Sequence, residues 1–324
     1  MAERLDVGVS APYQHDMLFL AQEVSCLTGV AYDGSTESTE MVADPTSLSH
    51  DVADTVQLSS PLLPEARRTF TIGRMVMETL KLEEMTWPDV AAALENGKTT
   101  VVVAAGAVEQ HGPHLPLCVD AERGTRLACD VAQRLGNALV APTIRVGCSE
   151  HHMAFSGTIS VRESTLRAVC TDYCVSLAHH GFTRICIVPS HGGNFLPLAN
   201  MLDELRKAVE PGCTVLAYTD LLGFLEIWKR VVGEAGMEER VGGHADVAEG
   251  SEMLAIRPDL VKIERAESGY PGEPSGELLD RIFREGLQAV TENGILGDGR
   301  GLSAELGEKC LAASADAMAS FFSE

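Results

Sequence analysis

Residues 99–120 read TTVVVAAGAVEQHGPHLPLCVD. Thr99–Ala107 is a short apolar run rich in β-branched residues, and it predicts a buried strand ending at Gly106. Glu109 and His111 follow at once, and Asp120 comes nine residues after His111. On an extended segment residues i and i+2 point to the same side. Glu109 and His111 are therefore expected to aim at one cavity, with Gln110 pointing away. Gly112-Pro113 turns the chain, and Asp120 enters at the start of the next helix. A carboxylate, an imidazole and a second carboxylate so placed suit a hydrolytic metal such as zinc or manganese. Alone, an E-x-H is a short motif with many accidental matches, and Asp120 reads equally well as a helix cap.

Outward from this stretch, strands and helices alternate. Ala121–Leu135 has helical periodicity, and Asn137–Val146 holds a second strand. Ile159–Val161 reads as a short third strand. Glu163–His180 reads as a helix closed by Gly181. Arg184–Pro189 is an apolar strand, Asn194–Val209 a helix stopped by Pro211-Gly212, and Thr214–Thr219 another strand. Ala245–Ile256 and Ser303–Phe322 complete the helices. Such alternation implies an α/β fold, a mostly parallel sheet covered on both faces. Ligands of such sheets bind beyond the carboxyl ends of the strands, where Glu109, His111 and His191 fall.

Composition narrows the function classes. The chain has 324 residues, 45% of them apolar, and a net charge of −22. So acidic a surface repels phosphate backbones and anionic membranes, which argues against a nucleic-acid or membrane partner and leaves a small-molecule substrate. No run approaches the ~18 apolar residues of a transmembrane helix. The N-terminus lacks the pattern of a secretory signal. Nine Cys without a CxxC pair fit reduced thiols, so a cytoplasmic location is expected. Residues 1–66 carry eleven Asp/Glu, one Arg (Arg4) and no Lys. That bias predicts an acidic N-terminal arm over 1–75, flexible or packed on a neighbouring subunit, with one short helix across Met17–Gln22 and Val24–Leu27. The catalytic domain is expected over 76–324.

Three further clusters bear on chemistry. His191-Gly192-Gly193-Asn194 joins a buried strand to a helix, and paired glycines let backbone approach a ligand closely. His244 precedes a helix, with Glu249 about one turn inside it; the pair either faces one pocket or comprises a cap and a solvated acid. Ser149-Glu150-His151-His152 contributes either metal ligands or substrate contacts. His114 is ambiguous, and His179-His180 reads as a helix-end surface pair. A nucleophilic triad has no support, since G-x-S-x-G is missing and neither Cys118 nor Cys148 is marked as activated.

EQHGPHLPL…D, EHH…F-x-GTIS, SHGGN, HADVAEGSEML and GILGDGRGLSAELGEK, taken together in this order, resemble the creatininase family of metal-dependent amidohydrolases. The resemblance covers about residues 80–320. It implies a three-layer α/β/α fold, a homo-oligomer, often a hexamer, and two divalent metal ions, zinc foremost with manganese and iron as alternatives. It implies that Glu109 and His191 ligate one metal and His111 the other, that Asp120 bridges them, and that Glu249 completes the shell of the second metal. It gives His244, beside Glu249, the catalytic proton transfer. Ser149, Glu150 and His151 are the substrate candidates. Gly192-Gly193 stand where creatininase itself has an aromatic residue and a glutamate, so creatinine is not the expected substrate. The 1–75 arm has no counterpart in the family.

The expected reaction is hydrolysis of a C–N bond in a small or cyclic amide or a formamide, through a hydroxide bridging the two metals. The alternatives are a peptide bond in a modified peptide, a carbocyclic ketone ring, or a non-catalytic metal-binding assembly protein.

Overall fold

The computed structural model describes Thr79–Glu324 and the backbone of two short strands, β1 (Ala31–Tyr32) and β2 (Met41–Val42), which pair antiparallel. The chain divides into two compact units, Met1–Met77 and Glu78–Glu324. Apart from the β1–β2 ribbon, the arm expected over 1–75, with its helix at Met17–Gln22 and Val24–Leu27, lies outside the described residues.

In the second unit, helix α1 (Trp87–Glu95) leads into strand β3 (Thr100–Ala105), helix α2 (Val119–Leu135) and strand β4 (Ala138–Val140). Helix α3 (Glu163–His179), strand β5 (Arg184–Pro189), helix α4 (Gly192–Val209) and strand β6 (Thr214–Ala217) follow. The four strands form one parallel sheet in the order β4-β3-β5-β6. All six residues of β3 are buried, as a strand covered on both faces requires. Val101, Val103, Ile185 and Ile187 pack on one side with Leu166, Leu198 and Met201 of α3 and α4. Val102, Ala104, Cys186 and Val188 face the other side, with Leu127 and Val131 of α2. This is the expected three-layer α/β/α arrangement.

Several boundaries differ from expectation. The second strand is confined to Ala138–Val140, and Ile159 makes only an isolated bridge to Val108. The span Leu222–Val241, to which the strand-and-helix alternation assigns no element, is mostly helix α5 (Leu221–Glu234). Phe224, Leu225, Trp228, Val231 and Val232 recur at helical spacing there, and the Asp220 side chain caps the start by accepting from Gly223 N–H.

Strand β7 (Val241–His244) runs into helix α6 (Val247–Ile256). Helix α7 (Gly276–Glu285) and strand β8 (Leu296–Gly297) come next, and β8 pairs antiparallel with β7 outside the main sheet. Helix α8 (Ala304–Ser323) ends the chain and packs on α2, α5 and α6. No helix among the described residues is long and apolar enough to cross a membrane.

Candidate metal centre

Beyond β3 the chain passes through Gly106, where backbone crowding admits no side chain. A Cβ there would lie 2.9 Å from Asp120 O and from Ala121 Cα. That close approach brings the first turn of α2, and with it Asp120, against the strand end bearing Glu109 and His111. β5 delivers His191 at the mouth of α4. Gly193 serves a similar purpose, since a Cβ there would collide with the Cys148 carbonyl and the His191 ring.

β7 and α6 supply the remaining groups. Asp246 caps α6 through Oδ1, which accepts from Ala248 N–H (2.9 Å) and Glu249 N–H (3.1 Å), and its Oδ2 accepts from Gly242 and Gly243 N–H. Ala245, between His244 and Asp246, has φ +53°, a left-handed conformation costly for a residue with a Cβ. Its N–H donates to Glu249 Oε2 at 2.7 Å. The turn thus holds His244 and Glu249 toward one point.

Two histidines are oriented alike. Nδ1 of His111 donates to the Glu109 carbonyl at 3.1 Å, which leaves Nε2 facing Asp120 Oδ1 (3.4 Å) and Glu249 Oε2 (3.5 Å). Nε2 of His191 donates to the Cys148 carbonyl at 3.0 Å, which leaves Nδ1 facing Glu109 Oε1 (3.2 Å) and Asp120 Oδ2 (3.3 Å). A ring lone pair against a carboxylate oxygen repels unless a cation stands between them. Both Glu109 oxygens, His111 Nε2 and Asp120 Oδ2 are buried and make no hydrogen bond. The donor set, mixed imidazole and carboxylate with second ring nitrogens tied to backbone carbonyls, fits divalent zinc, manganese or iron.

Without a metal, protons take that place. Burial disfavours charge on His191, yet Glu109 and Asp120 hold it up at about 10. His111 is likewise raised by Glu249 and Asp120 against burial. Asp120 is depressed by His111 and His191, although burial opposes this. His244 goes the other way, pushed below the ordinary imidazole range by burial and by His111.

Three groups of potential ligands converge among the described residues: Glu109, His151 and His191; His111, Asp120 and Glu249; and Glu109, His111 and His244. The substrate candidates separate. His151 lines the cleft, its ring 5.6 Å from that of His191 and 4.8 Å from Phe283. Ser149 is fully buried beneath His191, its Oγ 3.4 Å from Nε2, and Glu150 is exposed and lines no part of the cleft. The short 3₁₀ turn at Glu150–His152 explains this, since it sends successive side chains in different directions. His152 is buried, with Nε2 3.3 Å from Glu109 Oε1. The ring nitrogens of the buried His114 make no hydrogen bond.

Gln110 does not point away. Its Nε2 lies 2.9 Å from His244 Nε2 and 3.0 Å from His152 Nδ1. The i+2 rule fails because the chain after β3 is not a regular strand: Val108 makes a single bridge and Gly112 turns the backbone at φ +63°. Arg123 and Glu252, both buried beside the ligands, also escaped notice. Their spacing of three from Asp120 and from Glu249 was the available signal. Cys148 is pushed up to about 11 by burial, so no activated thiol competes as a nucleophile.

A buried carboxylate–imidazole cluster beyond the carboxyl end of a parallel sheet defines a metal-dependent hydrolase of α/β/α architecture. The chain belongs to the creatininase family: the family model "Creatininase: Creatinine amidohydrolase" matches residues 83–322. It is 30% identical over 262 residues to the mycofactocin precursor peptide peptidase of Mycobacterium ulcerans (strain Agy99), which covers 76% of this chain and 92% of the relative. It is 31% identical over 199 residues to the creatinine amidohydrolase of Pseudomonas putida, covering 58% and 76%. A solved structure described as "Creatininase Mn" aligns with a TM-score of 0.61 at 27% identity, over 75% of this chain and 97% of that one.

Proposed function

We propose that the chain hydrolyses an amide C–N bond at a two-metal centre. Glu109, His191 and Asp120 would hold one ion; His111, Asp120 and Glu249 would hold the other. The supporting observation is the Asp120 carboxylate, whose two oxygens face two different histidines at 3.4 and 3.3 Å. When bound, the ions supply Lewis-acid activation of water and of the scissile carbonyl.

The residues of the chain do the rest. His244 Nδ1 lies 3.9 Å from both Glu109 Oε1 and Glu249 Oε2, where it can take up the proton released by the water consumed and pass it to the departing nitrogen. Gln110 holds the opposite edge of that ring. Phe195, Leu221, Phe224 and Leu225, together with Ile282 and Phe283 of α7, line the cleft. The charged side chains lining it are Glu109, Asp120, Arg123 and Glu249. An uncharged amide flanked by apolar groups fits this space better than a phosphorylated one.

Two substrate classes meet that description: a small or cyclic amide or formamide, and a peptide bond beside an apolar side chain. The peptide reading is favoured by the likeness to a peptidase along nearly its whole length. A panel of formamides, cyclic amides and short peptides ending in aromatic or aliphatic residues, offered to zinc- and manganese-loaded protein, tests both. Turnover of the peptides is the expected result. Failure to hydrolyse any member would overturn the assignment.

A further inference from the structure

Asp120 and Arg123 lie three residues apart on α2, and Glu249 and Glu252 lie three apart on α6, so each pair shares one helix face. The two helices pack against each other. Their charged side chains therefore stand in two tiers: Asp120 with Glu249, and behind them Arg123 with Glu252. The rear pair is 4% and 0% exposed.

Nη2 of Arg123 lies 3.5 Å from Asp120 Oδ1 and 3.4 Å from Glu249 Oε1. The same nitrogen donates to the Ser190 carbonyl. Nη1 lies 3.5 Å from Glu252 Oε2. Glu252 is held in turn by Trp228, whose Nε1 donates to Oε1 at 3.0 Å. The guanidinium carbon rests 5.0 Å from the Trp228 ring and 5.7 Å from Phe224. Nε and Nη1 of Arg123 are shut off from solvent, so neither is open to a ligand in the cleft. A guanidinium is planar, permanently charged and rigid in the geometry of its donors. Glu252 anchors the far side of the guanidinium, so the near side is aimed at Asp120 and Glu249.

We propose that Arg123, braced by Glu252 and Trp228, is a positioning residue that aims Asp120 and Glu249 at the His111 side of the metal centre. The proposal rests on the two-metal reading above. Its contacts with the ligand carboxylates are to Glu249 and to Asp120 Oδ1, the oxygen that faces His111, whereas toward His191 it reaches the Ser190 backbone carbonyl.

Calorimetric titration of metal-free protein with Zn²⁺ tests it, with thermal melting in parallel. Wild-type protein is expected to take up two equivalents. Arg123→Met is expected to keep one equivalent at wild-type affinity and to bind the second about 10–100-fold more weakly, the usual loss when a partner of a ligand is removed. Arg123→Lys should recover part of that loss. Arg123→Met with Glu252→Gln removes the buried carboxylate left without its partner, so it should regain melting temperature but not the second affinity. If the double variant binds both equivalents as wild type does, Arg123 is only the counter-ion of Glu252 and the proposal fails. Equal binding by Arg123→Met overturns it as well. Uptake of fewer than two equivalents by the wild type would overturn the two-metal reading itself.

Discussion

Nε2 of His244 lies 2.9 Å from the side-chain nitrogen of Gln110 and 3.0 Å from its backbone carbonyl. Either contact, the tautomer deciding which, holds that ring edge and turns Nδ1 toward Glu109 and Glu249. The amide is itself oriented, because Gly112 N–H donates to its Oε1 at 2.9 Å. Gln110→Met keeps the volume and removes the side-chain contact, leaving the backbone carbonyl in place. General acid–base groups contribute typically ~10²–10⁴-fold, and a misaimed His244 forfeits part of that. The expected outcome is a fall in kcat of about 10–100-fold with metal content unchanged. An unaltered kcat would remove Gln110 from the mechanism.

Asp120 is the residue on which the two-ion arrangement depends. Asp120→Ala removes both oxygens that face His111 and His191. Bound zinc, measured by elemental analysis, is expected to drop together with turnover. A variant with full metal and full activity would exclude a bridging role.

The parts of this molecule differ in how legible they were. Thr99–Ala107 and Arg184–Pro189 announce themselves because strands buried on both faces are apolar without interruption, and the ligands follow immediately in sequence. Glu249 is harder, since only the Asp246 cap and the strained Ala245 turn bring it inward. Gln110 and Glu252 lie within EQHGPHLPL and HADVAEGSEML without standing out as functional residues, and Arg123 lies in no motif. Their importance comes from helix packing and from a non-strand turn, which local periodicity does not encode. The helix at Leu221–Glu234 had its pattern in plain view, with Phe224, Leu225, Trp228 and Val231 on one stripe. Gly223 and Gly233, near its two ends, weaken that pattern.

Gly307 lies where α8 crosses α6. A Cβ there would run into the Ser251 carbonyl and stand 2.7 Å from Glu252 N, both backbone groups of the helix that carries Glu249. Neither can yield without moving that helix. Gly307→Ala is expected to cost about 1–3 kcal/mol, the usual penalty of overpacking a core. For a domain of this size that lowers the melting midpoint by roughly 2–4 °C per kcal/mol. A midpoint equal to wild type would show that the two helices separate freely.

Glu252 links the buried network to pH. Burial raises its pKa to about 8 from an ordinary 4.5, although Arg123 and the Trp228 N–H pull it down while Glu249 and Asp246 push it further up. The folded metal-free chain therefore keeps a proton that the unfolded chain releases. This stabilisation is fully present below pH 4.5 and is lost as pH rises through the folded value near 8. Asp246, raised to about 6 by burial, acts in the same direction at lower pH. His191 also loses stabilising charge as pH rises through about 10. Some decline therefore remains in any single variant. Glu252→Gln has no proton to lose, so its urea midpoint should fall less steeply than that of wild type between pH 4.5 and 8. Parallel profiles for the two metal-free proteins would show that Glu252 is ionised throughout that window, and that Arg123 outweighs its burial.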